Sequence, residues 1–354
     1  MRSTLFHVPL QIGGVPLFGW GLVLLLWAVV ACFAIVRAAR REGLGTALTG
    51  LGLPLAVAGA VIVWGLPAIA DDAGLPVRGY GVMLLLAAAA GTWLSVRRGV
   101  RYGFDADTII ALGTEVFLWG IVGARLFYVI QYRAAFFDAG IAAAIPRILN
   151  VAQGGLVVFG SLPTAALAAG LFARRRGLSI LRLADCIAPG LLLGLAIGRV
   201  GCFLNGCCYG GPCDLPWAVQ FPPDSPAWLD QQARGLLPAV AAGAAPPWSL
   251  PVHPAQLYAA IDAALLAALA VAATPWLRRA GEVFALVLTL HPVSRLLLEA
   301  IRVDEPSLSP YLPLTISQAI ALVLLALAAA LWWWIGRQSG GPEGHDRRGG
   351  ARGF

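Results

Sequence analysis

AIGRVGCFLNGCCYG, residues 196 to 210, closes a long apolar run and decides how this chain folds. The stretch places Arg199 at the end of that run and follows it with Cys202, Cys207 and Cys208. An ionised side chain within hydrocarbon costs free energy, and in membrane proteins such residues usually belong to a functional site. The stretch therefore predicts a membrane helix whose end holds a ligand.

The composition extends this prediction to the whole chain. Of 354 residues, 59% are hydrophobic and only 12% are charged, and the mean hydropathy is +0.79. Apolar runs recur from one end to the other, which predicts an all-α, polytopic integral membrane protein. The net charge of +7 does not indicate nucleic-acid binding, because all 25 basic residues are arginines and most of them lie in short clusters between apolar runs. We therefore expect no nucleic-acid partner.

Apolar windows predict nine transmembrane helices. A helix needs about 20 apolar residues to cross about 30 Å of hydrocarbon. The windows lie near residues 15–36, 47–70, 79–96, 107–131, 154–173, 184–205, 254–274, 281–301 and 315–336.

Arginine clusters occupy every second connection between these windows. The clusters are Arg37/Arg40/Arg41, Arg97/Arg98/Arg101, Arg174/Arg175/Arg176/Arg182, Arg278/Arg279 and Arg337/Arg347/Arg348/Arg352. Positively charged connections stay in the cytoplasm, whereas the remaining connections are acidic or nearly neutral. The pattern predicts an N-terminus outside and a C-terminus in the cytoplasm.

The windows also predict the domain organisation. Residues 1–75 form two additional N-terminal transmembrane helices, and residues 76–306 form a seven-helix membrane core with the last helix, 307–337. Within the core, segment 206–253 is expected to be extracytoplasmic. The Gly- and Arg-rich tail 338–354 is expected to be disordered.

Four arginines are predicted to lie in the outer half of the membrane. They are Arg125, Arg199, Arg295 and Arg302. His291, Arg295, Glu299 and Arg302 follow one another at spacings of four, four and three residues, which puts them on one helical face.

Two interpretations of these arginines are open. In the first, each arginine extends its side chain to the lipid headgroups or pairs with a carboxylate such as Glu299. Alternatively, a bound anion balances guanidiniums that would repel one another at similar depth. The planar guanidinium suits phosphate, and the commonest phosphate at that depth is a phospholipid headgroup. The residues thus predict an outward-facing site for an anionic lipid.

The cysteines and glycines around this site also allow alternatives. Cys202, Cys207, Cys208 and Cys213 are spaced five, one and five residues apart, which fits no common zinc or iron–sulfur pattern, so we predict neither a metal nor a cofactor. For these cysteines structural disulfides are favoured, with inert thiols and a catalytic or metal role as the alternatives. Several glycines either let helices pack closely or let backbone amides approach a ligand, namely Gly154, Gly155, Gly160, Gly194, Gly198 and Gly201.

Five motifs together resemble the prolipoprotein diacylglyceryl transferase family. They occur in the family's order over roughly residues 76 to 306. The motifs are Gly79-Tyr80-Gly81, Gly123-Ala124-Arg125, Gly198-Arg199-Val200-Gly201 with Phe203-Leu204-Asn205-Gly206, His253-Pro254-Ala255-Gln256-Leu257-Tyr258, and Arg295 with Glu299 and Arg302.

The resemblance implies an enzyme and its substrates. Members of that family are multi-pass proteins of the bacterial inner membrane whose active site faces the periplasm. They move the diacylglyceryl group of phosphatidylglycerol onto the lipobox cysteine of a prolipoprotein and release glycerol phosphate. The implied partners are therefore phosphatidylglycerol, prolipoprotein signal peptides and membrane lipids.

Site residues follow from the same resemblance. It implies catalytic roles for Arg199, Arg295 and Glu299, and we add His291 as a candidate base. The implied substrate-binding residues are Tyr80, Arg125, Arg302, Gly154, Gly155, Asn205, His253, Gln256 and Tyr258.

Four positions depart from the family pattern. Phe159 stands where a histidine is expected, Cys202 replaces an asparagine, Cys207 replaces a glutamate, and His291 replaces a tyrosine. Either His291 takes over the duty of a base, or the cationic site lowers the pKa of the acceptor thiol without one. A divergent member that binds anionic phospholipid without turnover, or uses another acceptor, is the alternative function.

Overall fold

The computed structural model describes residues 4–138, 140–150, 155, 157–238, 245–302, 307–309 and 312–337. Gly154 and the tail 338–354, which is predicted to be disordered, lie outside the described residues. Most of the described chain is helical. The helices are α1 Leu22–Glu42, α2 Leu44–Ala60, α3 Leu66–Ala68 after a π-helical turn Val61–Gly65, α4 Gly79–Arg101, α5 Ala106–Gln131, α6 Arg133–Phe137, α7 Ile141–Leu149, α8 Val158–Arg175, α9 Ile180–Asn205, α10 Pro226–Ala233, α11 Ala255–Ala273, α12 Glu282–Glu299 and α13 Ile316–Arg337.

Seven helical segments in the described ranges are long and apolar enough to cross a membrane. They are Leu22–Arg41, Leu44–Ala68, Gly79–Arg101, Ala106–Gln131, Ile180–Asn205, Ala255–Ala273 and Ile316–Arg337. This agrees with the predicted polytopic membrane fold. Helices α8 and α12 coincide with two further apolar windows but have 18 residues each and are not among the seven. The count of nine spans and the orientation of the termini stay predictions.

Short antiparallel strand pairs accompany the predicted helices. Strand β1 (Thr4–Val8) pairs with β4 (Leu75–Arg78), β2 (Gln11–Ile12) with β3 (Val15–Pro16), and β5 (Ser307–Ser309) with β6 (Leu312–Thr315). Outside a helix, backbone N–H and C=O groups need other hydrogen-bond partners, and in these segments the paired strand supplies them. The pair β1–β4 joins the two ends of the segment that contains α1, α2 and α3.

The described chain divides into two compact units. The first comprises residues up to Met83 together with Leu204–Gly206 and Phe221–Trp248. In this unit Gly59 of α2 gives room to Trp27 of α1, since a Cβ at Gly59 would lie 2.9 Å from the indole ring. Helix α10 is capped by Ser225, whose hydroxyl accepts a hydrogen bond from the backbone N–H of Trp228. The predicted domain boundaries stay predictions.

The second unit comprises Leu84–Phe203, Cys207–Gln220 and the residues from Ser249 onward. Its hydrophobic core draws on α5, α8 and α9, with Ile109, Leu112, Phe172, Ala173, Leu183 and Cys186 fully buried. Glycines allow close approach of helices, as expected for membrane proteins. A Cβ at Gly190 of α9 would lie 2.6 Å from the carbonyl oxygen of Gly91 in α4.

Candidate active site

One face of α12 carries a buried ion pair. Nη2 of Arg295 lies 3.0 Å from Oε2 of Glu299, and the two side chains are 17% and 2% exposed. The two residues are one turn apart, so the helix itself brings the charges together. The spacing in the sequence predicts the shared face of this pair correctly, whereas Arg302, predicted on the same face, lies beyond the end of α12.

Thr315, at the end of β6, and Ser317, in the first turn of α13, form hydrogen bonds with this pair. Thr315 donates its hydroxyl proton to Oε1 of Glu299 at 2.9 Å, and Arg295 donates to the hydroxyl oxygen of Ser317 at 3.0 Å. The sequence motifs did not indicate either residue. The only signal available was a pair of hydroxyl side chains at the entry to a strongly apolar helix. With an arginine and a hydroxyl bound to it, Glu299 is suited to hold Arg295 in place.

Arg199 differs from Arg295 in having no counter-ion among the described residues. It is half-buried on α9, and in the part of the chain that the structure describes it makes no salt bridge or hydrogen bond through its side chain. Its positive charge acts on His291 and on the Cys208 thiol. A guanidinium in this state is suited to bind an anion with a planar pair of hydrogen bonds.

Backbone bridges tie the loop after α9 to two distant segments. Gly210 donates to the carbonyl of His253 at 2.9 Å, and Gly211 donates to that of Ile301 at 2.8 Å. Gly210 also forms an isolated β-bridge with Arg302. A Cβ at Gly210 would lie 2.7 Å from the Cβ of His253, so this close approach requires glycine. The bridges bring Arg302 next to the loop, where its charge acts on Cys208.

The segment from His253 to Tyr258 holds the same loop from another side. Gln256 is 1% exposed, and its Nε2 donates to the carbonyl oxygen of Cys207 at 2.8 Å. The hydroxyl oxygen of Tyr258 accepts a hydrogen bond from Nε1 of Trp217 at 2.7 Å. Nδ1 of His253 is buried without a hydrogen-bond partner in the described chain. The polar groups of Gln256 and Tyr258 are thus engaged with protein, and their predicted contact with substrate stays a prediction.

His291 lies close enough to Arg199 and Arg295 for their charges to act on it. The charges of Asp262, Arg199 and Arg295 act on its imidazole, and among the described residues its buried Nδ1 has no hydrogen-bond partner. Nearby, the hydroxyl of Ser294 donates to Oδ2 of Asp262 at 2.7 Å. The structure thereby brings His291 to the arginine site, and its role as a base stays a prediction.

Arg125 is engaged with backbone carbonyls, unlike Arg199. The side chain is 9% exposed and donates to the carbonyls of Arg147, Ile148 and Asn150 at 2.6–2.9 Å and to that of Gly155 at 2.9 Å. These contacts orient the chain between α7 and α8. In the structure the guanidinium of Arg125 thus binds backbone carbonyls, and its contact with phosphate stays a prediction.

The remaining predicted residues, Gly155, Phe159, Tyr80 and Asn205, lie on other elements of the fold. Gly155 has φ +75°, and a Cβ there would lie 2.6 Å from Nη1 of Arg125, so both its backbone and its contacts require glycine. Position 159 lies in the first turn of α8. Tyr80, an exposed residue, and Asn205, a half-buried one, belong to the first compact unit, whereas the site described above belongs to the second.

Three of the six cysteines meet at the end of α9. The sulfur atoms of Cys202, Cys207 and Cys208 all lie within 4.8 Å of one another. None of the six cysteines forms a disulfide, so the disulfides considered above are not present among them. Hydrogen bonds with Cys202 and Cys207 hold the pKa of the Cys208 thiol well below its usual range, and the charges of Arg199 and Arg302 act in the same direction.

These features define a class of protein: a helical, multi-pass membrane protein with a cationic site built from the ends of α9 and α12. The site offers an arginine free to bind an anion, a second arginine held by a buried carboxylate, and a cluster of thiols. Such a site suits a phosphate-bearing ligand.

Comparison with known proteins narrows this class. Residues 67–334 match the family model described as prolipoprotein diacylglyceryl transferase. The chain belongs to that family. Together with the seven membrane-competent segments, this makes it a multi-pass protein of the bacterial inner membrane.

Individual relatives support the assignment. Phosphatidylglycerol–prolipoprotein diacylglyceryl transferase of Rhodopirellula baltica is 39% identical over 248 residues, covering 67% of this chain and 50% of the relative. The transferase of the same name from Gloeobacter violaceus is 30% identical over 287 residues, covering 78% and 95%. That from Clostridium tetani is 29% identical over 238 residues, covering 67% and 86%. The matched region thus spans half of the first relative and nearly all of the other two.

Proposed function

We propose that this chain transfers the diacylglyceryl group of phosphatidylglycerol to the lipobox cysteine of prolipoproteins, the first step of bacterial lipoprotein maturation. Membership of the family and the names of its relatives support this activity. The observation that carries it is Arg199, a half-buried cation without a counter-ion in the described chain, whose charge acts on His291 together with that of Arg295.

The reaction has three requirements. The acceptor thiol must lose its proton, because the thiolate is the nucleophile. The sulfur attacks the glyceryl carbon that carries the phosphate ester, so a C–S bond forms while the C–O bond breaks. The electron pair of that bond stays on the phosphate oxygen, and glycerol phosphate leaves. Negative charge builds on the departing phosphate, and preorganised donors that stabilise it lower the barrier.

The arginines supply those donors. We assign Arg199 and Arg302 to the phosphate, and Arg295 to the same charge once Glu299 has fixed its orientation. Glu299 then acts as a positioning residue. Arg125 and Gly155 order the chain before α8, while Gln256 and Tyr258 order the loop after α9, at the edge of the lipid site.

Membrane orientation forms part of the proposal. Nine spans with the N-terminus outside would put the ends of α9 and α12 on the periplasmic side, where prolipoproteins and the outer leaflet meet. Alternation of arginine-rich and neutral connections supports this orientation. We retain Tyr80, Gly154, Asn205 and His253 as candidate substrate-binding residues on the strength of the family motifs.

A transfer assay tests the function. Purified full-length protein in phosphatidylglycerol-containing vesicles is incubated with a lipobox peptide, and the mass of the peptide is followed. We expect the mass of one diacylglyceryl group to be added. Arg199→Gln should lower the rate by about 100- to 1000-fold, the usual loss for one donor to a developing oxyanion. Arg97→Gln, an exposed arginine of the predicted cytoplasmic cluster, is the matched control and should retain the parent rate.

The alternative function is binding of anionic phospholipid without turnover. Phe159, at a position where the family resemblance implies a histidine, favours it. Binding of phosphatidylglycerol that depends on Arg199, combined with an unchanged peptide mass, would establish the alternative and overturn the proposed transfer.

A further inference from the structure

The thiol cluster consists of Cys202, in the last turn of α9, with Cys207 and Cys208 from the loop that follows. Their sulfur atoms lie within 4.8 Å of one another. Zinc–sulfur bonds of about 2.3 Å in tetrahedral geometry separate the sulfurs by about 3.8 Å. The thiols therefore need to move by only about 1 Å to surround a zinc ion.

The loop is held so that the sulfurs converge. Cys207 donates its backbone N–H to the carbonyl of Cys202 at 3.2 Å, and its own carbonyl accepts from the buried Gln256. Cys208 has φ +59°, a left-handed conformation that a residue with a Cβ rarely adopts. Backbone strain of this kind persists where the surroundings enforce it, and it is concentrated at functional sites.

The charge around the cluster suits a metal thiolate. Three thiolates and one Zn²⁺ carry a net charge of −1, which would be costly to bury alone. The positive charges of Arg199 and Arg302 act on Cys208. Arg199 also precedes Cys202 by three residues on α9, so the two side chains lie on the same helical face.

We propose that Cys202, Cys207 and Cys208 bind a zinc ion whose open fourth position takes the thiol of the acceptor cysteine. The proposal rests on the transferase function proposed above. Three protein ligands with an open position are typical of catalytic zinc sites, and a thiol that coordinates zinc is deprotonated. The metal would thus replace a base, which accounts for Phe159 at the position where a histidine is implied.

Atoms and electrons balance in this step. When the acceptor thiol binds to Zn²⁺, its proton passes to water. The bound sulfur then forms the C–S bond to the glyceryl carbon, while the C–O electron pair leaves with glycerol phosphate. Zinc does not change its oxidation state. The product thioether is uncharged and a weaker ligand than a thiolate, so it leaves the metal.

Metal binding is tested on the purified full-length protein, reduced and freed of metal with a chelator. Zn²⁺ content is measured after dialysis, and Co²⁺ is used as the spectroscopic probe. We expect one metal per chain and a sulfur-to-cobalt charge-transfer band. Cys202→Ser and Cys208→Ser should each weaken the affinity by at least about 100-fold, the upper end of the loss for supporting residues. Cys213→Ser, which alters a cysteine outside the cluster, is the matched control and should bind normally.

The acceptor is tested in the same samples. A lipobox peptide should change the cobalt spectrum, whereas a peptide with serine in place of the cysteine should not. Chelation should abolish transfer, and added Zn²⁺ should restore it.

The outcomes separate the two proposals. Full transfer by the chelated protein, or absence of the cobalt band from the reduced protein, would overturn the zinc site and leave the transferase function standing. A disulfide within the cluster that is needed for transfer would overturn it as well. Conversely, a cobalt spectrum that responds to the peptide without any transfer from phosphatidylglycerol would support the metal site and count against the transferase.

Discussion

Replacing Glu299 by alanine tests whether this carboxylate is the counter-ion that holds Arg295. The carboxylate is 2% exposed and has two partners, the guanidinium at 3.0 Å and the hydroxyl of Thr315 at 2.9 Å. Removing it takes away the carboxylate that balances the mostly buried charge of Arg295. The perturbation therefore bears on stability and activity together.

The size of the effect follows from burial. Removing one partner of a buried ion pair costs about 3–5 kcal/mol, and since Arg295 stays 17% exposed we expect the lower end. Glu299→Gln keeps an acceptor for Thr315 but loses the charge, which should cost about 1.5–3 kcal/mol. In the double variant Arg295→Met/Glu299→Gln no charge is left unpaired, so most of the stability should return.

Two measurements are needed on each variant. The free energy of unfolding is obtained in mixed micelles by titration with a denaturing detergent, and the transfer rate is obtained in vesicles. We expect the double variant to be folded but to have a rate lower by about 100-fold or more, because a donor to the phosphate is missing. Removing the charge of Arg295 in addition to that of Glu299 should therefore restore stability while it lowers the transfer rate.

Two results would refute this reasoning. If Glu299→Ala were as stable as the parent, the ion pair would not contribute to the fold as the geometry requires. If Glu299→Gln kept full stability but lost activity with a displaced pH optimum, Glu299 would transfer a proton instead of positioning Arg295.

Three further predictions concern the scaffold. Gly155→Ala should cost more than about 1 kcal/mol, because φ is +75° and the new Cβ would lie 2.6 Å from a guanidinium nitrogen, and limited proteolysis before α8 should increase. Gly190→Ala should destabilise the protein by about 1–3 kcal/mol through overpacking, whereas Gly170→Ala, where a Cβ meets nothing within 4 Å, should keep or raise the unfolding midpoint because alanine favours the helix more than glycine does. Trp217→Phe removes the 2.7 Å hydrogen bond to Tyr258 and should cost about 1 kcal/mol in the same titration.

Helix positions could be read from the sequence where apolar windows are bounded by charge. The window 107–131 became helix Ala106–Gln131, and the window 184–205 became Ile180–Asn205. The first window, 15–36, was displaced, since its helix runs over Leu22–Glu42. Residues Val15–Pro16 form a strand instead. The window included them because apolarity alone does not distinguish a short strand from the end of a helix.

Only part of the candidate site could be predicted from the sequence. Helical spacing predicts that Arg295 and Glu299 share a face, and the structure pairs them. The contacts of Glu299 with Thr315 and of Arg125 with the carbonyls around Ile148 join different segments, and no local pattern encodes such partners. The same holds for the thiols, whose spacing in the chain fits no metal motif although the turn after α9 brings them together.

The backbone bridges of Gly210 and Gly211 bear on how the protein is made. They join the loop after α9 to His253 and to Ile301, which the ribosome delivers much later. Since chains enter the membrane from the N-terminus during synthesis, α9 is inserted before its loop has these partners. The site can close only once α12 is in place, so translation that stops before this helix would leave the arginine and thiols exposed to quality-control proteases.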